Sequence, residues 1–374
     1  MERLFPPQIR RRAPRLWRDA VVHSECTLHQ LSPYIGKLKS SIARDLIAKY
    51  SKPGHLVVDP FAGSGTIPFE AKLSARRAVA FDTSAYAEVL CHAKFNAPSS
   101  YADAITECDD LLAEAATLRS SVAAVPQWVR AFFHEKTLRE ILRFVTVAKK
   151  RRAYFQLACL LGILHHQRPG FLSFPASHLT PYLRDKKFPV DSYPELYGYR
   201  PLRPRLIAKI ERTYKRPPQH GVGPATFHRD SIETADIPIG VDAVITSPPY
   251  MNALDYVRDN RLRLWFLDEA SVAVGDAAST RRVQAFRDMI ATLATKVERA
   301  LRSGGYCVLI IGDHVKRSGD SFPSKMVAEL VATHAPALRL ERVITDAIPD
   351  IRRARRELRG TKNEHVLVFR KETA

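Results

Sequence analysis

The stretch with the clearest chemical content is a glycine-containing loop that follows an apolar run ending in an acid. Leu56–Val58 leads into Asp59-Pro60-Phe61-Ala62-Gly63-Ser64-Gly65-Thr66, and a pattern compatible with a helix continues from Ile67 to Arg77. This order predicts a strand, a tight turn and a helix, the first unit of an open α/β sheet. Glycines allow a ligand to approach the backbone closely, and the helix N-terminus offers unpaired N–H groups. The loop is therefore a candidate ligand site.

Two common nucleotide-binding loops do not match this stretch. A P-loop ends in Gly-Lys-Ser/Thr, whereas Gly65-Thr66-Ile67 has no lysine. A dinucleotide fingerprint needs glycine or alanine where this chain has Pro68. About twenty residues later, Ala78–Asp82 has the pattern of a second strand with a terminal acid, which can accept both ribose hydroxyls of a nucleoside. The alternative for Asp82 is a helix N-cap, since Thr83 and a serine follow; beside the glycine loop, ribose binding is favoured.

A second specific stretch, Ser247-Pro248-Pro249-Tyr250, follows the apolar run Val241–Thr246. Two prolines fix φ twice and remove two N–H donors, so the backbone is rigid and its carbonyls can accept from a bound group. The exocyclic amine of an extruded base requires such acceptors, and Tyr250 can stack on the extruded ring. A turn with a buried tyrosine is the alternative. Placed after a strand and downstream of the glycine loop, the tetrapeptide instead favours catalysis.

Together, Asp-Pro-Phe-x-Gly-x-Gly-Thr and Ser-Pro-Pro-Tyr resemble the S-adenosylmethionine (SAM)-dependent amino-methyltransferases of DNA, which form N4-methylcytosine or N6-methyladenine. The resemblance covers about residues 29–98 and 226–370. It implies a Rossmann-like α/β fold, with a mostly parallel seven-stranded sheet and a C-terminal antiparallel hairpin. The motif order is that of the alpha arrangement, in which a target-recognition region separates the two motifs. Serine at the first position of the tetrapeptide favours cytosine N4 as the acceptor.

The resemblance also implies roles for individual residues. Ser247 Oγ and the Pro248 carbonyl hold the amine, while Asp82 takes the ribose and Asp230 the adenine amino group of SAM. The segment Ser32–Lys37 partly resembles the motif that closes over the methionine end of the cofactor, but it has fewer prolines and no phenylalanine after the lysine. The implied cofactor residues are Tyr34, Lys37, Asp59, Pro60, Phe61, Ala62, Gly63, Ser64, Gly65, Thr66, Asp82, Thr83, Asp230 and Ser231. The implied catalytic residues are Ser247, Pro248, Pro249 and Tyr250. Neither a metal nor a covalent cysteine is needed, because in-line methyl transfer depends mainly on orientation.

The rest of the chain predicts a discontinuous catalytic domain, 1–98 and 226–374, interrupted by an inserted helical and basic target-recognition region, 99–225. Further strands are predicted over 226–231, 241–246, 305–311, 338–345 and 364–369. Basic and aromatic residues interleave in the insertion, which suits a surface that holds phosphates and reads bases. The alternative is an irregular insertion that covers the sheet edge. The first 20 residues are basic and give no firm prediction of structure.

Charge favours a polyanionic partner. Lys and Arg number 58 against 39 Asp and Glu, giving a formal net charge of +19, more than surface solvation usually requires. The five cysteines form no C-x-x-C pair, so reduced and mostly buried thiols in a cytosolic protein are expected. No apolar run approaches the roughly twenty residues of a membrane span, so a soluble, cytoplasmic protein is predicted. His165-His166 is adjacent in sequence and lacks further ligands, which argues against a metal site.

The favoured function is a site-specific DNA methyltransferase that modifies cytosine N4 with SAM as cofactor and flips its target base out of duplex DNA. A cognate restriction endonuclease is a further partner to test. The alternatives are an N6-adenine DNA methyltransferase, an RNA base methyltransferase and a SAM- or DNA-binding module without catalysis. RNA enzymes of this fold often carry an N-terminal RNA-binding domain, for which the short N-terminal region leaves no room. The favoured function requires that the predicted strands ending at Asp59 and Thr246 open on one pocket.

Overall fold

A mixed β-sheet forms the centre of the computed structural model, which describes residues 5–19, 25–178, 180–218, 223–249, 256–269, 279–313, 322–347 and 363–373. The strands are β1 (Arg10–Arg12), β2 (Leu56–Asp59), β3 (Arg77–Asp82), β4 (Ala225–Arg229), β5 (Val241–Thr246), β6 (Leu301–Asp313), β7 (Leu338–Ala347) and β8 (Asn363–Lys371). The α-helices are α1 (Arg15–Asp19), α2 (Ser40–Tyr50), α3 (Thr66–Leu73), α4 (Ala85–Phe95), α5 (Tyr101–Thr117), α6 (Gln127–Arg130), α7 (Glu135–Lys150), α8 (Tyr154–Gly162), α9 (Leu202–Thr213), α10 (Tyr256–Phe266), α11 (Ser279–Ala300) and α12 (Pro323–His334).

The strand order is β1-β7-β8-β6-β5-β2-β3-β4, and only β8 runs antiparallel to its neighbours within the described sheet. The chain moves outward from β2 through β3 to β4, then returns to place β5 on the other side of β2. Ligands of open α/β sheets bind at such a switch point, beyond the carboxyl ends of the strands. The predicted Rossmann-like methyltransferase fold is confirmed, including the C-terminal hairpin in which β8 lies between β6 and β7.

The sheet differs from the prediction by one strand, because the described strands number eight rather than seven. The additional strand β1 is three consecutive arginines, and it pairs in parallel with Val343–Thr345 of β7. The basic N-terminal region therefore has structure that the sequence did not predict. Trp17 of α1 is fully buried, and its indole Nε1 donates to Asp45 Oδ2 at 2.8 Å. Arginine has little strand preference, so this strand depends on backbone pairing at an open sheet edge.

Two layers of helices cover the sheet because the central strands are apolar on both faces. Alternate residues of β6 lie on opposite faces of the sheet. Val308 and Ile310 pack with α2, whereas Leu309 and Ile311 pack with α11 and α12. This is the two-residue period of a strand. Strands buried on both faces read as continuous apolar runs, which explains why β2, β3 and β5 were predictable from sequence.

Helix α8 packs on α4, and the apolar residues of α5 to α9 share one core with α3, α4 and β4. Lys209 of α9 is buried and donates from Nζ to the Gln30 carbonyl at 2.8 Å. Arg203 of the same basic helix pairs with Asp109 of α5. Part of this basic segment therefore stabilises the fold instead of facing a partner. The division of the chain at residues 98/99 and 225/226 stays a prediction.

The described part of the chain can be compared with three expectations from the sequence, which concern the cysteines, metal binding and membrane spans. The five cysteines are free; four are buried and Cys26 is half-buried, as predicted. His165 and His166 follow the end of α8, and His165 Nδ1 lies 2.7 Å from the Ser177 carbonyl oxygen. No cluster of His, Cys, Asp or Glu in the described ranges could hold a metal. Within those ranges, every helix is too short or too polar to cross a membrane.

Candidate active site

The ends of β2 and β5 lie side by side. Val57 pairs with Ala243 and Val58 with Val244, so the two parallel strands reach the same sheet edge together. Thr246 Oγ1 donates to Asp59 Oδ1 at 2.6 Å, and both side chains are buried. The condition set by the sequence, that both strand ends open on one pocket, is therefore met.

A cavity of about 350 Å³ opens above these strand ends. Of the predicted cofactor residues, thirteen line it: Tyr34, Lys37, Asp59, Pro60, Phe61, Ala62, Gly63, Ser64, Thr66, Asp82, Thr83, Asp230 and Ser231. Ser247 and Pro249 line the same cavity, whereas Gly65 and Pro248 do not. Tyr250 lies outside the described residues. The structure thus gathers residues from widely separated positions, and their individual roles remain predictions.

The two glycines of the loop have different functions. Both adopt left-handed backbone conformations, with φ of +49° at Gly63 and +71° at Gly65. A Cβ at Gly63 would lie 3.2 Å from the Tyr34 ring, within the cavity wall. A Cβ at Gly65 would lie 2.7 Å from Cys91 Sγ on α4, behind the loop. Gly65 therefore allows the start of α3 to pack against α4, while Gly63 shapes the cavity.

Asp59 is held in a setting that disfavours its charge. Its Oδ1 accepts from Thr246 Oγ1 and from the Phe61 N–H at 3.2 Å. Burial raises the pKa of Asp59 from its ordinary 3.8 to about 7, despite the opposing effect of these two hydrogen bonds. A buried carboxyl group that is only partly ionised near pH 7 becomes fully ionised when a cationic ligand binds beside it. Asp59 is a candidate for such a group.

Asp82 holds the glycine loop as well as facing the cavity. Its Oδ2 accepts from the Gly63 N–H at 2.8 Å and its Oδ1 from the Ser84 N–H at 3.0 Å. Burial raises the pKa of this carboxyl group. The N-cap of α4 is Ser84, whose side chain accepts from the Tyr86 N–H. The N-cap alternative for Asp82 is therefore wrong, and ribose binding stays its predicted role.

Tyr34 and Lys37 close the cavity from the N-terminal side. The Tyr34 ring stacks on Tyr86 with 5.8 Å between centroids. Lys37 Nζ donates to the His29 carbonyl at 2.7 Å, and burial lowers the pKa of Lys37. Behind the glycine loop, Lys94 donates from Nζ to the Ser64 carbonyl, and burial lowers the pKa of Lys94 to about 7. The side-chain amines of half-buried Lys37 and buried Lys94 thus hold backbone carbonyls around the cavity.

Asp230 follows β4 as predicted and lies at the far wall of the cavity. It accepts from the Ser231 N–H at 2.8 Å and also from the Thr234 hydroxyl, in a local turn. These bonds orient the carboxylate. Binding of an adenine amino group at this position remains a prediction.

Ser247 has its hydroxyl hydrogen directed to the protein. Its Oγ donates to the Ile310 carbonyl of β6 at 3.3 Å. The hydroxyl oxygen then retains lone pairs with which to accept from another group. Since Ser247 also lines the cavity, this oxygen can act as the acceptor that the sequence assigned to it.

Sequence reasoning missed the contribution of α10. Val257, Asn260 and Leu264 of this helix line the cavity at a helical i, i+3, i+7 spacing. The spacing was visible directly after the Ser-Pro-Pro-Tyr motif and could have identified the helix face. Met289 of α11 also lines the cavity, and no local pattern marks it.

One family of known proteins matches part of this chain. Residues 15–90 match the family model N6_N4_Mtase, described as DNA methylase, and these residues include the glycine loop and Asp82. No curated protein sequence matches the chain significantly. Among solved structures, TrmN from Thermus thermophilus is similar at 11% identity, with 90% of this chain and 50% of that chain covered and a TM-score of 0.36.

Two further solved structures have comparable similarity. A TehB-like SAM-dependent methyltransferase from Corynebacterium glutamicum shares 10% identity, with coverages of 90% and 89% and a TM-score of 0.34. The rRNA methyltransferase aviRa from Streptomyces viridochromogenes shares 13% identity, with coverages of 95% and 96% and a TM-score of 0.35. The strand order itself establishes the fold. The family match over residues 15–90 confirms the resemblance of this chain to the SAM-dependent DNA amino-methyltransferases.

Proposed function

We propose that this protein transfers a methyl group from SAM to the N4 amine of cytosine in DNA at specific sites. The observation that carries the proposal is the position of Ser247. Its hydroxyl oxygen, with the hydrogen directed to Ile310, opens on the same cavity as the glycine loop. An amine acceptor and a cofactor loop at adjacent strand ends are the two parts that N-methylation requires.

The residues of the cavity suit SAM in shape and in charge. Gly63 leaves space that a Cβ would fill, beside the Tyr34 ring. Phe61, Ile232 and Met289 provide apolar surface for an adenine ring. Carboxyl groups at Asp59 and Asp82 complement a ligand that carries a cationic amino group and ribose hydroxyls. When bound, SAM supplies a methyl group that its sulfonium makes electrophilic.

The chain supplies orientation rather than strong acid–base catalysis. Ser247 Oγ accepts a hydrogen bond from the exocyclic amine, which fixes the direction of the nitrogen lone pair. The prolines that follow keep this acceptor rigid, because their φ angles are fixed. Holding amine and methyl group in line contributes several kcal/mol to lowering the barrier, roughly 7–11 kcal/mol in the best intramolecular cases. The nitrogen that gains the methyl group gives up one proton, which passes to solvent water.

DNA as the substrate is supported by the family match and by charge. The family model is described as DNA methylase, and the net charge of +19 favours a polyanion. Cytosine N4 is preferred to adenine N6 because serine is the first residue of the tetrapeptide, a preference that rests on the resemblance alone.

Parallel incubations with isotopically labelled SAM and either bacterial genomic DNA or tRNA, followed by digestion to nucleosides, test each level of the proposal. We expect label in N4-methylcytosine. Label only in N6-methyladenine would refute the base assignment, and label in tRNA but not DNA would refute the substrate. SAM binding without transfer to either nucleic acid would favour the non-catalytic alternative. Base-resolution sequencing of DNA from expressing cells then gives the recognition site.

A further inference from the structure

Helix α10 has one face in the cavity and another at the surface. Val257, Asn260 and Leu264 line the cavity, whereas Arg261, directly after Asn260, is exposed. Consecutive Cα atoms are only about 3.8 Å apart. The backbone of Arg261 therefore lies at the rim of the cavity that Ser247 lines, while its side chain extends from the exposed face of the helix.

Arg261 connects this rim to the inserted region. Its guanidinium lies over the Trp128 ring of α6, 5.1 Å from the ring centroid, and donates to the Pro181 carbonyl at 2.9 Å. These two contacts fix a flexible side chain at the surface. They use one ring face of the indole and one of the five N–H donors of the guanidinium, so further donors remain available.

The aromatic residues around this point are unusually exposed. Trp128 has 36% and Tyr182, next to Pro181, 51% of its surface accessible. Among the described residues, the large aromatic side chains that are exposed all lie in the inserted region: Tyr101, Trp128, Tyr182, Tyr193 and Tyr199. Trp128 contacts the Arg261 guanidinium, and Tyr182 directly follows Pro181, whose carbonyl accepts from that guanidinium. An exposed aromatic ring beside a guanidinium suits stacked bases and phosphates better than it suits water.

We propose that Trp128, Arg261 and Tyr182 form a contact site for the duplex beside the flipped base. The exposed part of the indole contacts a nucleobase next to the extruded one, and the guanidinium binds the adjoining phosphate. This inference rests on the proposed function and adds the surface that holds the flanking DNA. A base that leaves the stack removes a neighbour from each adjacent base, and an aromatic surface there replaces that lost contact.

Tryptophan fluorescence distinguishes this site from general DNA binding. The chain has three tryptophans; Trp17 is fully buried and Trp265 half-buried, so Trp128 is the most exposed. Titration uses the short duplex that contains the site found by base-resolution sequencing. We expect quenching in the wild type and its loss in Trp128→Phe, which keeps a ring but removes the indole signal. Quenching of unchanged amplitude in Trp128→Phe would overturn the proposal.

Steady-state methylation gives the second test. In Trp128→Ala we expect the KM for this duplex to rise about 10-fold, within the range for one stacked base, while the affinity for SAM is unchanged. Trp128→Phe should recover most of the loss. Arg261→Ala should lower the salt dependence of DNA affinity by about one phosphate contact, and Arg261→Lys should restore it. A KM in Trp128→Ala equal to that of wild type would refute the base contact.

Two matched variants control for exposure and charge. Tyr101→Ala removes a ring of α5 that is slightly more exposed than Trp128, and Arg299→Ala removes one exposed positive charge at the end of α11. We expect neither to change KM or salt dependence, and equal effects in these controls would refute a local site. A wild-type protein that methylates no DNA would refute the proposed function and this site with it. A wild type that methylates DNA with both variants unaffected would refute this site alone.

Discussion

Replacing Asp59 by asparagine should stabilise the cofactor-free protein above about pH 4, by an amount that reaches its maximum above neutral pH. Burial raises the pKa of Asp59 from 3.8 to about 7, so ionising this group costs the folded state more than the unfolded state. The pKa of this group thus differs by about 3 between the folded and unfolded states, which corresponds to at most about 4 kcal/mol in the free energy of unfolding. Asparagine keeps an oxygen that accepts from Thr246 and from the Phe61 N–H but carries no charge.

The sign of the pH dependence follows from the raised pKa. Below the unfolded pKa, near pH 4, both states are protonated and the carboxyl group imposes no penalty. Between about pH 4 and 7 only the unfolded state ionises, so the wild type loses stability relative to Asp59→Asn as pH rises. Above the folded pKa the difference is constant. Urea unfolding at pH 5, 6 and 7 should show a difference that grows by roughly 1.4 kcal/mol per pH unit.

The same substitution should weaken SAM binding. The charged carboxylate should hold the cationic α-amino group of SAM, which stays protonated between pH 5.5 and 7. The affinity of the wild type for SAM should therefore rise about tenfold over this range, as Asp59 ionises. Burial also raises the pKa of Asp82, so this carboxyl group adds a pH dependence that Asp59→Asn retains. Calorimetric titration with SAM at these pH values measures the effect. The exposed Asp110 provides the control, since Asp110→Asn should change neither quantity. A stability difference independent of pH, or SAM affinity equal in both proteins, would refute this account of Asp59.

Three further outcomes are expected. Asp82→Ala should weaken SAM binding by about 1–3 kcal/mol in calorimetric titration and lower the melting temperature, because the Gly63 and Ser84 N–H groups lose their acceptor; SAM affinity equal to wild type would contradict its predicted role. Gly65→Ala should destabilise the fold by about 1–2 kcal/mol because of the left-handed backbone, and further because the new Cβ meets Cys91 Sγ. In chemical denaturation, adding Cys91→Ala should recover the stability lost to the clash but not that lost to the backbone conformation. Ser247→Ala should lower kcat at least about tenfold with SAM affinity unchanged, as rapid-quench assays can determine, whereas a normal kcat would remove Ser247 from catalysis.

The sequence predicted the sheet well because most of its strands are buried on both faces. Val241–Thr246 has the bounds of β5, and β2 extends the predicted Leu56–Val58 by the terminal acid. β1 was not predictable in this way. Its arginines have no apolar pattern, and they become a strand because β7 presents an open edge for backbone pairing. A strand that forms because a neighbouring strand offers backbone partners has no pattern in its own residues from which it could be predicted.

The site was predictable only to the extent that its residues lie in motifs. Thirteen of the predicted cofactor residues line the cavity because a loop between a strand end and a helix must lie at the carboxyl edge of the sheet. The exception, Gly65, is informative. A glycine in a binding loop suggests a ligand contact, yet this one is required by the proximity of Cys91, 26 residues away in sequence. A tertiary contact of this kind cannot be seen in the loop itself.

The net charge of the chain and the charged residues of the cavity suit two different ligands. The chain as a whole carries a net charge of +19, but the described residues that line the cavity include four acids, Asp59, Asp82, Asp230 and Glu233, and one cation, Lys37. The ammonium of Lys37 is already bound to a backbone carbonyl. A basic exterior attracts a polyanion over about a Debye length, while an acidic interior stabilises a small cationic ligand at contact distance. Added salt should therefore weaken the association of DNA much more than that of SAM, since only the first interaction is exposed to screening.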